Sequence, residues 1–284
     1  PVTGAGTTNL IGNPYPSALS ADAFLAANNK ILEGTLYFWT HNTSIRLKGE
    51  LNPGTAGSGA YAYTSDDYAA YNFTGGIATT GKGEESISKA STIPNGFIAS
   101  GVAFFAEGIA SGGNLIFKNE MRLSSVVTGS TILDNSQVFR TAVSGTKKAK
   151  IAPANSIEKN RVWLNLTNAQ GAFKQILVGY VTGATNDYDN GYDGESFDGN
   201  DFIDFYSINH NKNLTIQGRA LPFDATDSVP LGYSSTIEGG FSISIEEVDG
   251  TMQSQSVFLE DRVLNVVQDL KVYPYTLHTA AGTF

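Results

Sequence analysis

The sequence predicts an all-β chain composed of two antiparallel β-sandwich domains of the jelly-roll or Ig-like type. Short runs rich in Val, Ile, Thr, Tyr and Phe recur along the 284 residues, and glycine and asparagine separate them as turn residues do. Hydrophobic residues make up 41% of the chain, which is enough to bury two cores of ordinary size. The sequence contains no cysteine, so these domains are expected to fold without disulfides.

The clearest predicted strand is 241–246, in which Phe and Ile alternate with Ser and Glu. This alternation places one face of the strand against a core and the other in water. The segment 20–30 has helical spacing, with Ser20 as the N-cap and with Phe24 and Asn28 on one buried face. Further strands are predicted at 34–40, 101–107, 114–119, 161–167, 175–182, 213–219 and 256–261.

The predicted domain boundary lies within 143–159, which combines glycine, proline and asparagine with several lysines, as connectors between domains do. The sequence therefore predicts an N-terminal sandwich at 1–148 and a C-terminal sandwich with an acidic loop at 149–284. Trp39 and Trp163 lie in predicted strands, and each is expected to anchor one core. One continuous larger sandwich is the alternative.

The charge balance disfavours two classes of partner. The chain has 18 Lys and Arg residues against 27 Asp and Glu residues, a formal net charge of -9. Neither nucleic acid nor an anionic membrane surface is expected to bind such a chain. No stretch approaches 18 consecutive apolar residues, so direct membrane insertion is not predicted. The opening PVTGAGTTNL lacks the basic and apolar regions of a signal peptide, and we interpret it as the start of a mature or excised piece.

The acidic loop, Asp187 to Asp204, contains seven carboxylates and no Lys or Arg. Its first acidic residues alternate with other residues, and glycines allow the backbone to turn tightly, an arrangement that suits Ca²⁺. Position twelve of an EF-hand loop would be an aspartate here, so the loop is not of that type. An exposed acidic loop without metal is the alternative. The predicted calcium ligands are Asp187, Asp189, Asp193, Asp198 and Asp201.

Tyrosines that follow the glycine-rich segment 54–59 form a second candidate site. Tyr61, Tyr63 and Tyr71 have Asp and Asn neighbours, and aromatic rings with such neighbours can hold a sugar ring. Packing of these tyrosines in a core or across strands is the alternative.

A catalytic role is not predicted. The three histidines, His41, His210 and His278, are far apart in the sequence, and no HExxH or GxSxG pattern is present.

Several blocks of the sequence resemble large cell-surface proteins of Bacteroidota, among them NLIGNPYPSAL, GTLYFWTHNT, IASGVAFFAEG and FKNEMR. The segment 161–208, followed by IQGRALPFD and VPLGY, is similar to the region upstream of the type IX secretion sorting signal in Flavobacterium-type proteins. This resemblance implies a non-catalytic extracellular module with a structural or adhesive role. Its partners would be other domains of the same surface protein, cell-surface components or glycans. A carbohydrate-binding module is the alternative.

The tripeptide Asp227-Ser228-Val229 resembles the short O-glycosylation signal of exported Bacteroidota proteins. The resemblance implies that Ser228 is the acceptor.

Overall fold

The computed structural model describes residues 2, 7–40, 46–47, 61–62, 68–78, 93–122, 157–169, 171–196 and 203–284. These residues are mostly β strand, as the sequence predicts. The strands are β1 (Thr8–Gly12), β2 (Leu19–Ser20), β3 (Leu32–Trp39), β4 (Arg46–Leu47), β5 (Tyr61–Ala62), β6 (Tyr68–Tyr71), β7 (Gly76–Ile77), β8 (Phe97–Ile98), β9 (Ala103–Gly108), β10 (Lys159–Asn168), β11 (Phe173–Val181), β12 (Gly194–Glu195), β13 (Ile203–Asn209), β14 (Lys212–Arg219), β15 (Leu231–Ser235), β16 (Gly239–Val248), β17 (Phe258–Asp261), β18 (Val266–Asp269), β19 (Tyr275–Thr279) and β20 (Gly282–Thr283).

The first sheet has the strand order β1-β9-β3-β6-β7, and its neighbouring strands are antiparallel. Helix α1 (Ala21–Asn28) covers its core, where the rings of Phe24 and Phe104 lie 5.4 Å apart. The Ser20 hydroxyl accepts a hydrogen bond from the amide of Ala23 at 3.2 Å and caps the helix. The predicted helix and its N-cap are therefore confirmed.

The predicted strand at 114–119 is wrong. Asn28 at the end of α1 takes the place of a neighbouring strand: its side-chain amide donates to the carbonyl of Ile116 at 3.0 Å and accepts from the amide of Ile116 at 2.7 Å. One side chain thus satisfies both backbone groups that a sheet would otherwise pair. The segment continues into a short 3-10 helix, Asn119–Met121.

The second sheet has the order β19-β16-β10-β11-β14-β13-β15-β20, and β12 pairs with β14 beside it. Strands β11 and β14 run parallel, with Leu177 opposite Ile216, which differs from the antiparallel pairing predicted. The other ladders of this sheet are antiparallel. Apolar side chains of β10, β11, β13 and β16 form its main core, with Leu166, Ile176, Ile203 and Phe205 among the most buried.

A smaller apolar cluster joins the two sheets. Ala70 and Ile77 of the first sheet pack with Trp163, Leu177 and Ile216 of the second. The indole Nε1 of Trp163 donates to the carbonyl of Gly76 at 2.9 Å, and this side chain is only 4% exposed. Trp163 therefore lies between the sheets instead of within a core of its own half.

Trp39 has a different environment from the one predicted. Its side chain is half-buried, and its ring meets that of Tyr68 edge to face at 5.0 Å. It contributes to cross-strand packing between β3 and β6.

Candidate functional site

The first part of the acidic loop connects the two sheets. The amide of Gly191 donates to the carbonyl of Glu33 at 2.9 Å, and the amide of Phe73 donates to the carbonyl of Gly191 at 2.8 Å. The hydroxyl of Thr35 donates to the carbonyl of Asp193 at 3.2 Å. We call residues 189–193 and their contacts with 33–35 and 73–74 the inter-sheet joint.

Two glycines make the joint possible. Gly34 has a φ of +102°, and a Cβ built on it would overlap the backbone of Gly191. Gly191 has a φ of +87° and faces the ring of Phe73. Both backbones can approach this closely because neither residue has a side chain. Close by, the hydroxyl of Thr74 donates to the carbonyl of Tyr192 at 2.7 Å.

The carboxylate of Asp193 holds the joint against the second sheet. One oxygen accepts from the amide of Asp189 at 2.7 Å, and the other accepts from the amide of Gly218 on β14 at 2.8 Å. The residue is 1% exposed. Burial raises the pKa of Asp193 to about 7, although the two amides favour the charged form and oppose this shift.

The other predicted calcium ligands have different surroundings. Asp187 is exposed, and its carboxylate lies 3.0 Å from Nε2 of His210. Asp189 accepts a hydrogen bond from the amide of Thr185 at 2.5 Å. Asp198 and Asp201 lie outside the described residues. Within the described part of the chain, no three His, Cys, Asp or Glu side chains are close enough to hold a metal ion.

A cleft of about 270 Å³ lies beside the joint. Strands β3, β9 and β12 and the residues before β12 all contribute to its walls, so it spans both sheets. The lining residues are Glu33, Thr35, Tyr37, Glu107, Tyr188, Asp193, Glu195 and Ser196. Aromatic rings, hydroxyls and carboxylates together form a polar site with apolar faces, which suits a small polar organic ligand.

A lysine of β14 contacts two of the lining residues. The ammonium of Lys212 on β14 lies 4.0 Å from the ring centroid of Tyr188 and forms an ion pair with Glu195. Burial raises the pKa of Tyr188, and the charges of Glu195, Glu33 and Asp193 raise it further. Tyr188 is therefore a neutral aromatic wall at physiological pH.

The lining of the cleft carries several acids. Burial raises the pKa of Glu33, and the nearby charges of Glu107 and Glu195 act in the same direction. Lys212 lowers it, but as the smallest of the four influences. Burial also raises the pKa of Tyr37 between these acids. Negative charge therefore exceeds positive charge in this cleft.

Tyr71, one of the three tyrosines predicted to bind sugar, does not line this cleft. Tyr71 is 6% exposed in the first core, and its hydroxyl donates to Asp22 at 2.9 Å. This placement is the core packing that the sequence left open as an alternative. Tyr61 lies in β5, where only the backbone is described, and Tyr63 lies outside the described residues.

Ser228 lies in an exposed loop between β14 and β15. Its neighbour Asp227 accepts hydrogen bonds from the guanidinium of Arg219 at 2.5 and 2.6 Å and from the hydroxyl of Tyr180 at 2.9 Å. Asp227 thus fixes one end of the loop while Ser228 faces solvent.

Sequence reasoning missed the cleft because its residues come from segments that are distant in the sequence and look unrelated. Glu33 and Glu107 are single acids within apolar strands, where alternation predicts only a solvated face. Tyr188 and Glu195 belong to the acidic loop, for which the sequence predicts a metal site.

The fold and the cleft define a predominantly β protein whose two sheets are joined by an acidic segment. The chain belongs to the family described as Domain of unknown function (DUF8693), which matches residues 3–284. Comparison with curated proteins and with solved structures gave no match. In the described residues, no helix has the length and apolar character needed to cross a membrane.

Proposed function

We propose that this chain is a non-catalytic structural or adhesive module of a bacterial cell-surface protein that the type IX system exports. The observation that supports it best is the inter-sheet joint. Two of its hydrogen bonds run from backbone to backbone, at 2.8 and 2.9 Å, and a module that holds other domains at a fixed distance needs such a connection. The extracellular location rests on the resemblance to Bacteroidota surface proteins.

The joint resists relative movement of the sheets for a physical reason. Side-chain contacts between domains can slide, whereas backbone hydrogen bonds between Gly191 and its partners Glu33 and Phe73 fix both register and distance. A further contact from the second sheet reaches the joint at Thr74. The guanidinium of Arg161 donates to the carbonyl of Thr74 at 3.1 Å and binds Asp249 on its other side.

Force spectroscopy on the whole chain tests the structural role. We expect the two sheets to unfold in one event, because the joint and the shared apolar cluster couple them. Two separate events of ordinary domain size, unchanged by substitution of Gly34, would contradict it. The export route is tested in the native cell, where protease added outside should degrade the module and loss of type IX secretion should protect it.

We also propose that the chain folds as two sandwich domains, 1–148 and 149–284. Limited proteolysis within 143–159 should release two stable fragments. Because of the joint, we expect the fragments to remain associated until denaturant is added. Degradation of either fragment to small peptides would favour one continuous sandwich.

A carbohydrate-binding module is the second candidate, and the cleft is the observation that favours it. The rings of Tyr37 and Tyr188 supply apolar faces, while Thr35, Glu107 and Ser196 supply groups that bind hydroxyls. A glycan array with the intact chain tests this candidate. Saturable binding that is lost in Tyr188→Ala, and retained in Tyr273→Ala at an exposed position elsewhere, would support it.

We also propose Ser228 as an O-glycosylation site, supported by its exposure. Mass spectrometry of protein purified from a Bacteroidota host should show a glycan that is lost in Ser228→Ala. An unmodified peptide containing Ser228 would contradict this assignment.

A further inference from the structure

Two residues of the cleft lining, Tyr188 and Glu195, already bind one ammonium group, that of Lys212. This ammonium lies over the face of Tyr188 and is paired with Glu195. An aromatic face attracts a cation through its quadrupole, and a carboxylate on the other side offsets the charge. Tyr188 and Glu195 therefore show, with a group of the chain itself, that this side of the cleft can bind an ammonium.

The lining has two further carboxylates, those of Glu33 and Glu107, and the charge of Lys212 is the smallest of the four influences on Glu33. Among the described residues, the side chains of Glu33 and Glu107 form no ion pair and no hydrogen bond. They face the same cavity as Tyr37, a second aromatic wall. A second cation can thus bind near Glu33 and Glu107, while Lys212 stays over one face of Tyr188.

The spacing of these acids disfavours a metal ion and favours a larger cation. A metal ion needs several ligands at about 2.0 to 2.6 Å, and no three acids or histidines in the described ranges converge in that way. The carboxylates instead lie around a cavity of about 270 Å³. That size fits a small organic molecule, with one charged end and a carbon skeleton that needs apolar faces.

We propose that the cleft binds the primary ammonium group of an organic ligand, with the ammonium between Glu33 and Glu107 and the skeleton along Tyr37 and Tyr188. An amino sugar and a lysine side chain both present this group. The inference deepens the carbohydrate-binding candidate by naming the ligand's charge. It does not depend on the structural role, which unfolding experiments test separately.

Lys212 gives the proposal its most discriminating consequence. Its positive charge lowers the affinity for a second cation, and its side chain covers Tyr188 and Glu195. Lys212→Gln should therefore tighten binding of an amine by about two- to fivefold, an effect the size of one exposed cation–π or ion-pair contact. Lys118→Gln removes the same charge from an exposed position near Glu120, which does not line the cleft, and should leave affinity unchanged.

Calorimetric titration of the full chain tests the inference with two pairs of probes. Glucosamine is compared with glucose, and Nα-acetyl-lysine methylamide with the corresponding norleucine amide. We expect at least one amine to bind saturably and at least about tenfold more tightly than its neutral partner. The amine that binds more tightly shows whether the ammonium group comes from a sugar or from a peptide. Glu107→Gln should weaken that amine by about tenfold.

Two outcomes would overturn the proposal. One is equal binding, or no binding, of the amines and their neutral partners. The other is an affinity that Lys212→Gln and Lys118→Gln change alike, since this would indicate non-specific attraction to an acidic protein. Circular dichroism of each variant shows whether the fold is retained. The neutral-probe comparison uses the unsubstituted chain and does not depend on any variant.

Discussion

The inter-sheet joint and the β17–β18 hairpin are both short acidic segments, and their burial is opposite. In the joint, the acidic residue Asp193 is 1% exposed because two backbone amides and the packed sheets enclose it. In the hairpin, Val263 is 93% exposed and Phe258 is 64% exposed. A two-stranded hairpin has too little surface to enclose its own side chains. Burial in this protein therefore follows backbone hydrogen bonding as much as hydrophobicity.

The largest effect is expected where two backbones meet in the joint. Gly34→Ala places a methyl group on the backbone of Gly191 and should lower the free energy of unfolding by on the order of 3 kcal/mol or more. Gly101→Ala is the matched control, because Gly101 also has a positive φ but has no atom near its Cβ position. Gly101→Ala should lower the free energy of unfolding by only about 1 to 2 kcal/mol. Urea denaturation measures both, and equal losses would show that the close approach is unimportant.

The next effect concerns the buried carboxylate of the joint. Asp193→Ala leaves the amides of Asp189 and Gly218 without their acceptor, which should cost about 2 to 3 kcal/mol. Asp187→Ala, at an exposed position of the same segment, should change stability by less than about 0.5 kcal/mol. Thermal unfolding of the two variants measures the difference. Similar losses would mean that the acidic segment acts through its total charge.

The calcium prediction ranks third. If the acidic loop binds Ca²⁺, millimolar calcium should raise the melting temperature by a few degrees and a chelator should reverse the rise, because binding to the folded state alone stabilises it. In the structure, backbone amides already use both oxygens of Asp193 and one oxygen of Asp189, so the response should depend on Asp198 and Asp201. Melting that is unchanged by calcium and chelator would leave an acidic loop without metal.

The smallest effect is expected in the hairpin. Val263→Ser should alter the free energy of unfolding by less than about 0.5 kcal/mol, because the side chain is almost fully exposed. Val162→Ser, a buried position on β10, is the contrasting variant and should be clearly destabilising. Differential scanning calorimetry distinguishes them. A large loss in Val263→Ser would indicate that the hairpin is enclosed in solution.

Local patterns predicted much of the secondary structure. The alternation at 241–246 lies within β16, and the N-cap at Ser20 begins α1 as expected. At 114–119 no strand forms, and the side chain of Asn28, distant in the sequence, pairs with both backbone groups of Ile116. No local signal contains that information.

Contacts between the halves could not be predicted for a related reason. Gly34 and Gly191 are each consistent with an ordinary turn, and only the folded chain places them together. The parallel pairing of β11 with β14 likewise depends on the path of the chain that connects them, which contains β12 and β13. Strand sequences indicate faces and ends, but they do not specify which strand lies beside which.

The hydrogen bond from Thr35 to the carbonyl of Asp193 joins residues 158 positions apart in the chain. Contacts of such long sequence separation form slowly, because closing the large loop between them costs entropy before the contact can stabilise the chain. A ribosome that has synthesised the first sheet has therefore produced a surface whose covering segment does not yet exist. We expect the joint to close late in folding, so that for some time the nascent chain leaves the carbonyl of Glu33 and the amide of Phe73 to be solvated by water.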